Sequence, residues 1–140
     1  MPERVASHFN SAGIANGWMS RDAMLGWQIA TTALVAALFQ GIVLLQSRLP
    51  TEFVNLPNRE YWLATERRAM TDTWIRNMVL TVGCLLMIFF MALFHLVYLG
   101  NQAATPRLPS GLRSMTVLML VATSGVIVAT FLRFTRKPAP

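Results

Sequence analysis

Residues 77–99 read NMVLTVGCLLMIFFMALFHLVYL, a run with no Asp, Glu, Lys or Arg whose reading decides the fold. At about 1.5 Å of rise per residue, roughly 20 helical residues cross a bilayer, so this stretch is long enough to span one. Two further runs on either side, Ala23–Gln46 and Ser114–Leu132, are equally free of charge. A buried helix in a soluble core would be shorter and would carry a polar stripe. The expected fold is therefore an all-α integral membrane protein with three transmembrane helices. The chain divides into a short outer segment (1–22), a first span (23–46) and a cytoplasmic loop with an amphipathic helix (47–76). A second span (77–99), an outer loop (100–113), a third span (114–132) and a cytoplasmic tail (133–140) follow.

Composition agrees. Hydrophobic residues make up 54% of the chain and charged residues 13%, with a mean hydropathy of +0.47; for so apolar a chain, lipid is the natural solvent. The net charge of +6 resembles a nucleic-acid signal until the basic residues are mapped. Arg48, Arg59, Arg67, Arg68, Arg76, Arg133, Arg136 and Lys137 flank the spans on one side, and Arg4, Arg21, Arg107 and Arg113 on the other. Basic residues beside spans set orientation and suit anionic lipid, whereas nucleic-acid binding needs a basic soluble face. Nucleic acid is excluded as a partner. The bilayer is the expected one. The more basic side belongs in the cytoplasm, which places the N-terminus outside and the C-terminus inside.

In the N-terminal segment Asn16-Gly17 is expected to form a turn, because both residues tolerate positive φ. Ser20 is a candidate N-cap for the first span, with Asp22 in its first turn. Trp18 and Trp27 sit where indole rings anchor at an interface. The segment is too short to fold alone and can be ordered only against the spans or an upstream helix. Ala33, Ala37 and Gly41 repeat every four residues in the first span, and Gly125 and Ala129 do so in the third. Such small faces admit a helix partner, within the chain or in a larger complex. Leu56–Leu63 joins a proline turn to Tyr61 and Trp62, two aromatics suited to the interface. Glu66–Arg76 reads as an amphipathic helix or as a continuous extension of the second span, with Thr65 as its cap. Pro106 and Pro109 mark an irregular outer loop, and the residues after Arg133 a short, unstructured tail.

Candidate chemistry is sparse. His95, with Tyr98 a turn away, is the one intramembrane histidine, and an ionisable group at that depth is a functional candidate by default. No second histidine, carboxylate or cysteine stands at ligand spacing, so a structural hydrogen bond is expected rather than a haem or metal role. His8 and Asn10 lack the remaining ligands of a metal site and are expected to order a turn. Cys84 is alone, so no intrachain disulfide forms. All six acidic residues lie outside the spans, and no nucleophile triad, HExxH or phosphate loop occurs. No enzyme, cofactor or metal is expected, and transport would require an oligomer to build a pathway.

Residues Pro2–Gly13 with Asn16-Gly17-Trp18 and Ser20-Arg21, then Asn55–Leu63 and Glu66-Arg67-Arg68, resemble a bacterial membrane family known as domain of unknown function 1648. The ordered set covers about 60 residues and includes His8-Phe9-Asn10. The resemblance implies an extracytoplasmic N-terminal segment, in keeping with the charge count. It also implies a span upstream of Met1, which replaces the family's leucine; a native mass near 15.6 kDa would rule that span out. Some relatives are immunity proteins that guard against a secreted toxin, but they carry further spans that the resemblance does not reach. The expected function is a non-enzymatic protein of the bacterial plasma membrane, either an accessory subunit or an envelope binding or sensing module. The candidate interaction residues are His8, Phe9, Asn10, Asn16, Trp18, Tyr61, Trp62 and His95, with a protein partner or second copy on the small-residue faces. Alternatives are an immunity or signalling protein against a membrane-active peptide, and an oligomeric transport component.

Overall fold

The computed structural model describes residues 2–46 and 48–136. Two strands, β1 (Arg4–Phe9) and β2 (Ala15–Ser20), lead into α1 (Arg21–Gln46). A single 3-10 turn (Thr51–Phe53) and the short α2 (Arg59–Trp62) precede α3 (Thr65–Gly100) and α4 (Gly111–Thr135). All three long helices are apolar and long enough to cross a membrane. The multi-pass expectation holds at that level.

The helices outrun the spans read from sequence because polar residues continue the same helix past the lipid. α3 has 36 residues, so it is about 54 Å long at 1.5 Å per residue and overshoots a ~30 Å hydrocarbon core. Its first three turns are the Glu66–Arg76 stretch, so the extension is continuous. Thr65 opens the helix but does not cap it: the N-cap is Ala64, with no side-chain hydrogen bond. α4 runs on through Arg133 to Thr135, correcting the expected unstructured start of the tail; residues 137–140 lie outside the described residues.

α3 is the centre of the array. It packs against α1 on one flank and α4 on the other, with no comparable α1–α4 contact among the described residues. Gly83 lets α1 approach, since a Cβ there would stand 3.0 Å from the Phe39 ring. Within the chain the small-residue face is not the one packed. Ala33 and Ala37 are exposed, and neither Gly41 nor Gly125 has an atom within 4 Å of a would-be Cβ; Ala129 is also exposed. On α1, Met24 and Phe39 meet α3, at Val97 and Gly83. Four threonine hydroxyls within the spans are satisfied locally: Thr32, Thr116, Thr123 and Thr130 each donate to the carbonyl four residues back. That is what a polar group surrounded by lipid requires.

The structure is mostly helical, compatible with the all-α expectation, and adds one hairpin to it. β1 and β2 pair antiparallel, Val5 opposite Met19 and Ala6 opposite Trp18, with irregularities on either side of His8. The turn is not Asn16-Gly17, which lies within β2. It is Asn10–Ile14, where the Asn10 carboxamide oxygen accepts from the Ala12 and Ile14 N–H groups at 3.0 and 2.9 Å. Gly13 supplies the positive φ of 74°. Asn10 therefore orders a turn, as expected of it, through a side-chain mimic of backbone pairing. Gly17 instead makes room for a neighbour, because the His8 side chain lies across it and a Cβ would come within 2.9 Å. Ser20 caps α1 as expected, its hydroxyl accepting from Ala23 N at 3.2 Å.

At the far end the stretch between Gln46 and α3 folds back on the helix ends. The indole N–H of Trp62 donates to the Phe134 carbonyl at 2.8 Å, and the Asn58 amide donates to Phe134 and Thr135 carbonyls at 3.2 and 3.1 Å. The last carbonyls of α4 would otherwise lack partners. Thr71, 1% exposed, ties Trp62 down by donating to its carbonyl at 2.7 Å. Arg68 clamps Asp72 through both carboxylate oxygens at 3.1 Å and reaches the Leu49 carbonyl.

Candidate functional site

The hairpin end sets polar side chains around open space, and a second cavity of about 310 Å³ at the far end has a mostly apolar lining with Gln46, Asn55 and Asp72 at its edge. The hairpin rests on the helices through Val5, Met24 and Val97, a small buried cluster ringed by Phe9, Met19, Leu93 and Leu108. Its orientation is set by Asn101, the residue after α3. The Asn101 amide oxygen accepts from Ala6 N at 2.6 Å, while its NH2 donates to the carbonyls of Ala6 (3.0 Å) and Val97 (2.9 Å). A primary amide offers donor and acceptor side by side, so Asn101 stands where the peptide of a third strand would. At 3% exposure these bonds have little competition from water.

A second seam holds the turn. Leu108 N donates to Gly13 O at 2.8 Å, Ile14 bridges Arg107, and Arg107 N reaches Gly100 O at 3.3 Å. Gly100 must be glycine here, since a Cβ would meet the Arg107 carbonyl at 2.7 Å. The irregular loop between α3 and α4 is thus part of the hairpin's support.

Between β1, α1 and α3 lies an open cavity of about 340 Å³. Phe9, Trp27, Leu93, Phe94 and Val97 give it apolar walls, and Ser7, His8, Gln28 and Thr31 give it polar ones. The Ser7 hydroxyl lies 3.1 Å from His8 Nδ1. An apolar cleft with a few convergent polar groups suits a small amphipathic ligand. Among the described residues no three His, Cys, Asp or Glu side chains gather as a metal group.

The sequence-derived candidates separate into four sets. His8 and Phe9 line the cavity, and Asn10 builds the turn above it. Asn16 and Trp18 are exposed and do not line it. His95 is exposed on α3 and stacks on Tyr98 at 6.3 Å, with no ring hydrogen bond among the described residues. Tyr61 and Trp62 stand at the opposite end of α3. There Trp62 is 5% exposed and committed to Phe134, and Tyr61 carries the Arg67 guanidinium 4.0 Å above its ring. Trp62 closes a helix end, while Tyr61 is half-buried and lines a separate open groove with Asn58 and Glu60. Gln28, Thr31 and Asn101 were not anticipated. A polar residue one turn from Met24 on the inward face was the available signal for the first two; Asn101 is ambiguous locally, because asparagine just past a helix is common.

Comparisons with protein-family models, with curated proteins and with solved structures find no match to this chain. The functional reading rests on the geometry just described.

Proposed function

We propose that this chain is a non-enzymatic multi-pass protein of the bacterial plasma membrane whose hairpin end is an extracytoplasmic binding or sensing module. The observation that carries the reading is the hairpin held by Asn101 over an amphipathic cavity. A strand pair tethered to span ends is a rigid roof, and rigidity lowers the ordering cost of binding. The ligand class is a small amphipathic envelope molecule, with its apolar part between Trp27 and Phe94 and its polar part at His8 and Gln28. A membrane-active peptide is the alternative ligand, which would make the protein an immunity or signalling component. The distribution of arginines supports the outward placement of this end.

The residues that carry the family resemblance are those that build the two ends: Asn10, Gly13 and Gly17 in the hairpin, Asn58 and Trp62 in the far loop. Shared architecture accounts for the resemblance as well as a shared ligand would. The test is capture of envelope extract on the detergent-purified chain, read by mass spectrometry. His8→Ala and Thr31→Leu should lose the captured species, and Trp18→Ala should keep it. If all three variants capture what the native chain does, the cavity is not the working site.

A second reading, accessory subunit, is favoured by one observation. The outward face of α1 carries Ala33, Ala37 and Gly41 together with the exposed amide of Gln40. Polar amides in lipid seek interhelical partners. Gln40→Leu with Gly41→Ile should then dissolve a complex recovered in mild detergent; a complex unchanged by both substitutions opposes this reading.

A further inference from the structure

A second groove lies on the other side of the hairpin turn, between it and the first turns of α4, with a volume of about 1000 Å³. Its polar lining includes Asn10, Ser110, Arg107 and Arg113, and its apolar lining runs down α4 through Leu112 and Val117. No carboxylate lines it, and neither arginine forms an ion pair among the described residues. The carboxylates described at this end of the chain are Glu3 and Asp22, and Asp22 lies beside Arg21 at 3.4 Å. The groove is therefore cationic without a counter-charge of its own. Arg113 stands in the first turn of α4, directly before the apolar residues of the span, which is the depth at which headgroups sit.

We propose that this groove binds a phosphate monoester or diester carried on an apolar tail, specifically the headgroup of an anionic phospholipid from the leaflet on the hairpin side. Guanidinium groups match phosphate oxygens in charge and in planar, two-pronged geometry. The volume argues for the lipid over the free ion: it lies at the upper end of sites for drug-sized ligands, roughly 300–1,000 Å³, which a bare phosphate would leave mostly empty. The acyl chains would follow Leu112 and Val117 into the bilayer, along a path that an inorganic anion does not use. The site depends neither on which leaflet the hairpin faces nor on what fills the cavity beneath β1.

The full chain in nanodiscs, with photoactivatable phosphatidylglycerol and peptide mapping, provides the test, because mapping separates this groove from the arginines at the far end. Labelling of the segment 107–117 should exceed that by photoactivatable phosphatidylcholine. It should fall about tenfold or more in Arg107→Gln/Arg113→Gln, the equivalent of about 1.4 kcal/mol, and persist in Arg113→Lys and in Arg136→Gln. Helix content by circular dichroism should be unchanged. Equal labelling by the zwitterionic lipid overturns the proposal, as does full labelling of the double Gln variant. Displacement by millimolar inorganic phosphate assigns the groove to a soluble anion and equally overturns the lipid.

Discussion

The two ends of the helix array are closed by the same kind of bond but against different partners. At each end a side-chain N–H holds backbone carbonyls far away in sequence: Asn101 on Ala6, Asn58 and Trp62 on Phe134. At the far end the partner is a helix terminus, and rings pack around it, although a separate cavity of about 310 Å³ opens between the Gln46-to-Leu56 stretch, α3 and α4. Trp62 meets Phe134 edge-on at 5.5 Å, Arg67 covers Tyr61, and Arg133 covers the Trp74 ring. At the hairpin end the partner is an edge strand, which spans the gap between helices without filling it. Cavities remain on both sides, with Phe9 and Leu108 lining each. Packed rings fix the far end, whereas at the hairpin end a strand held by an amide roofs the open space.

That contrast breaks most severely at Trp62. Trp62→Ala removes a buried indole, its hydrogen bond and its ring contacts, and should cost about 3–5 kcal/mol. Thermal unfolding in detergent should register it, with the hairpin still protected from hydrogen exchange. Asn101→Ala comes next, at about 1–3 kcal/mol, because it orphans both polar groups of Ala6. Its effect should stay at the hairpin.

The glycines sharpen the comparison further. Gly83→Ala drives a methyl toward the Phe39 ring and should destabilise the α1–α3 pair by about 1–3 kcal/mol. Gly41→Ala and Gly125→Ala meet open space and should remain within about 0.5 kcal/mol of the native chain. Parallel thermal melts of the three variants check this, and a large effect at Gly41 would reveal a partner on that face. Asp72→Asn should have a similarly small effect. The Arg68–Asp72 pair is one helical turn apart and partly exposed, so its loss should cost about 0.5 kcal/mol and shrink with salt.

The spans were legible because length and the absence of charge are summed over many residues, so no single contact has to be known. The observed helices enclose all three apolar runs. The Ser20 cap and the Asn10 turn were legible as well, since each is settled within four residues. The hairpin was not, because its strands are six residues each and their register bends around His8. Its docking depends on a side chain 95 residues away. Asn16-Gly17 misled for a related reason: glycine serves a close approach there as well as a turn, and only the position of His8 distinguishes the two. The small-residue face of α1 was read correctly as small, but the choice between an inward and an outward face is made by Phe39 against Gly83.

The central claim is that one amide makes the hairpin a fixed roof over the cavity. Site-resolved hydrogen exchange in nanodiscs, comparing the native chain with Asn101→Ala, tests it most directly. The Ala6 amide should be protected in the native chain and should exchange about 10- to 100-fold faster in the variant, while residues 58–76 keep their native rates. A hairpin that exchanges freely in the native chain, or that stays equally protected without Asn101, would contradict the claim.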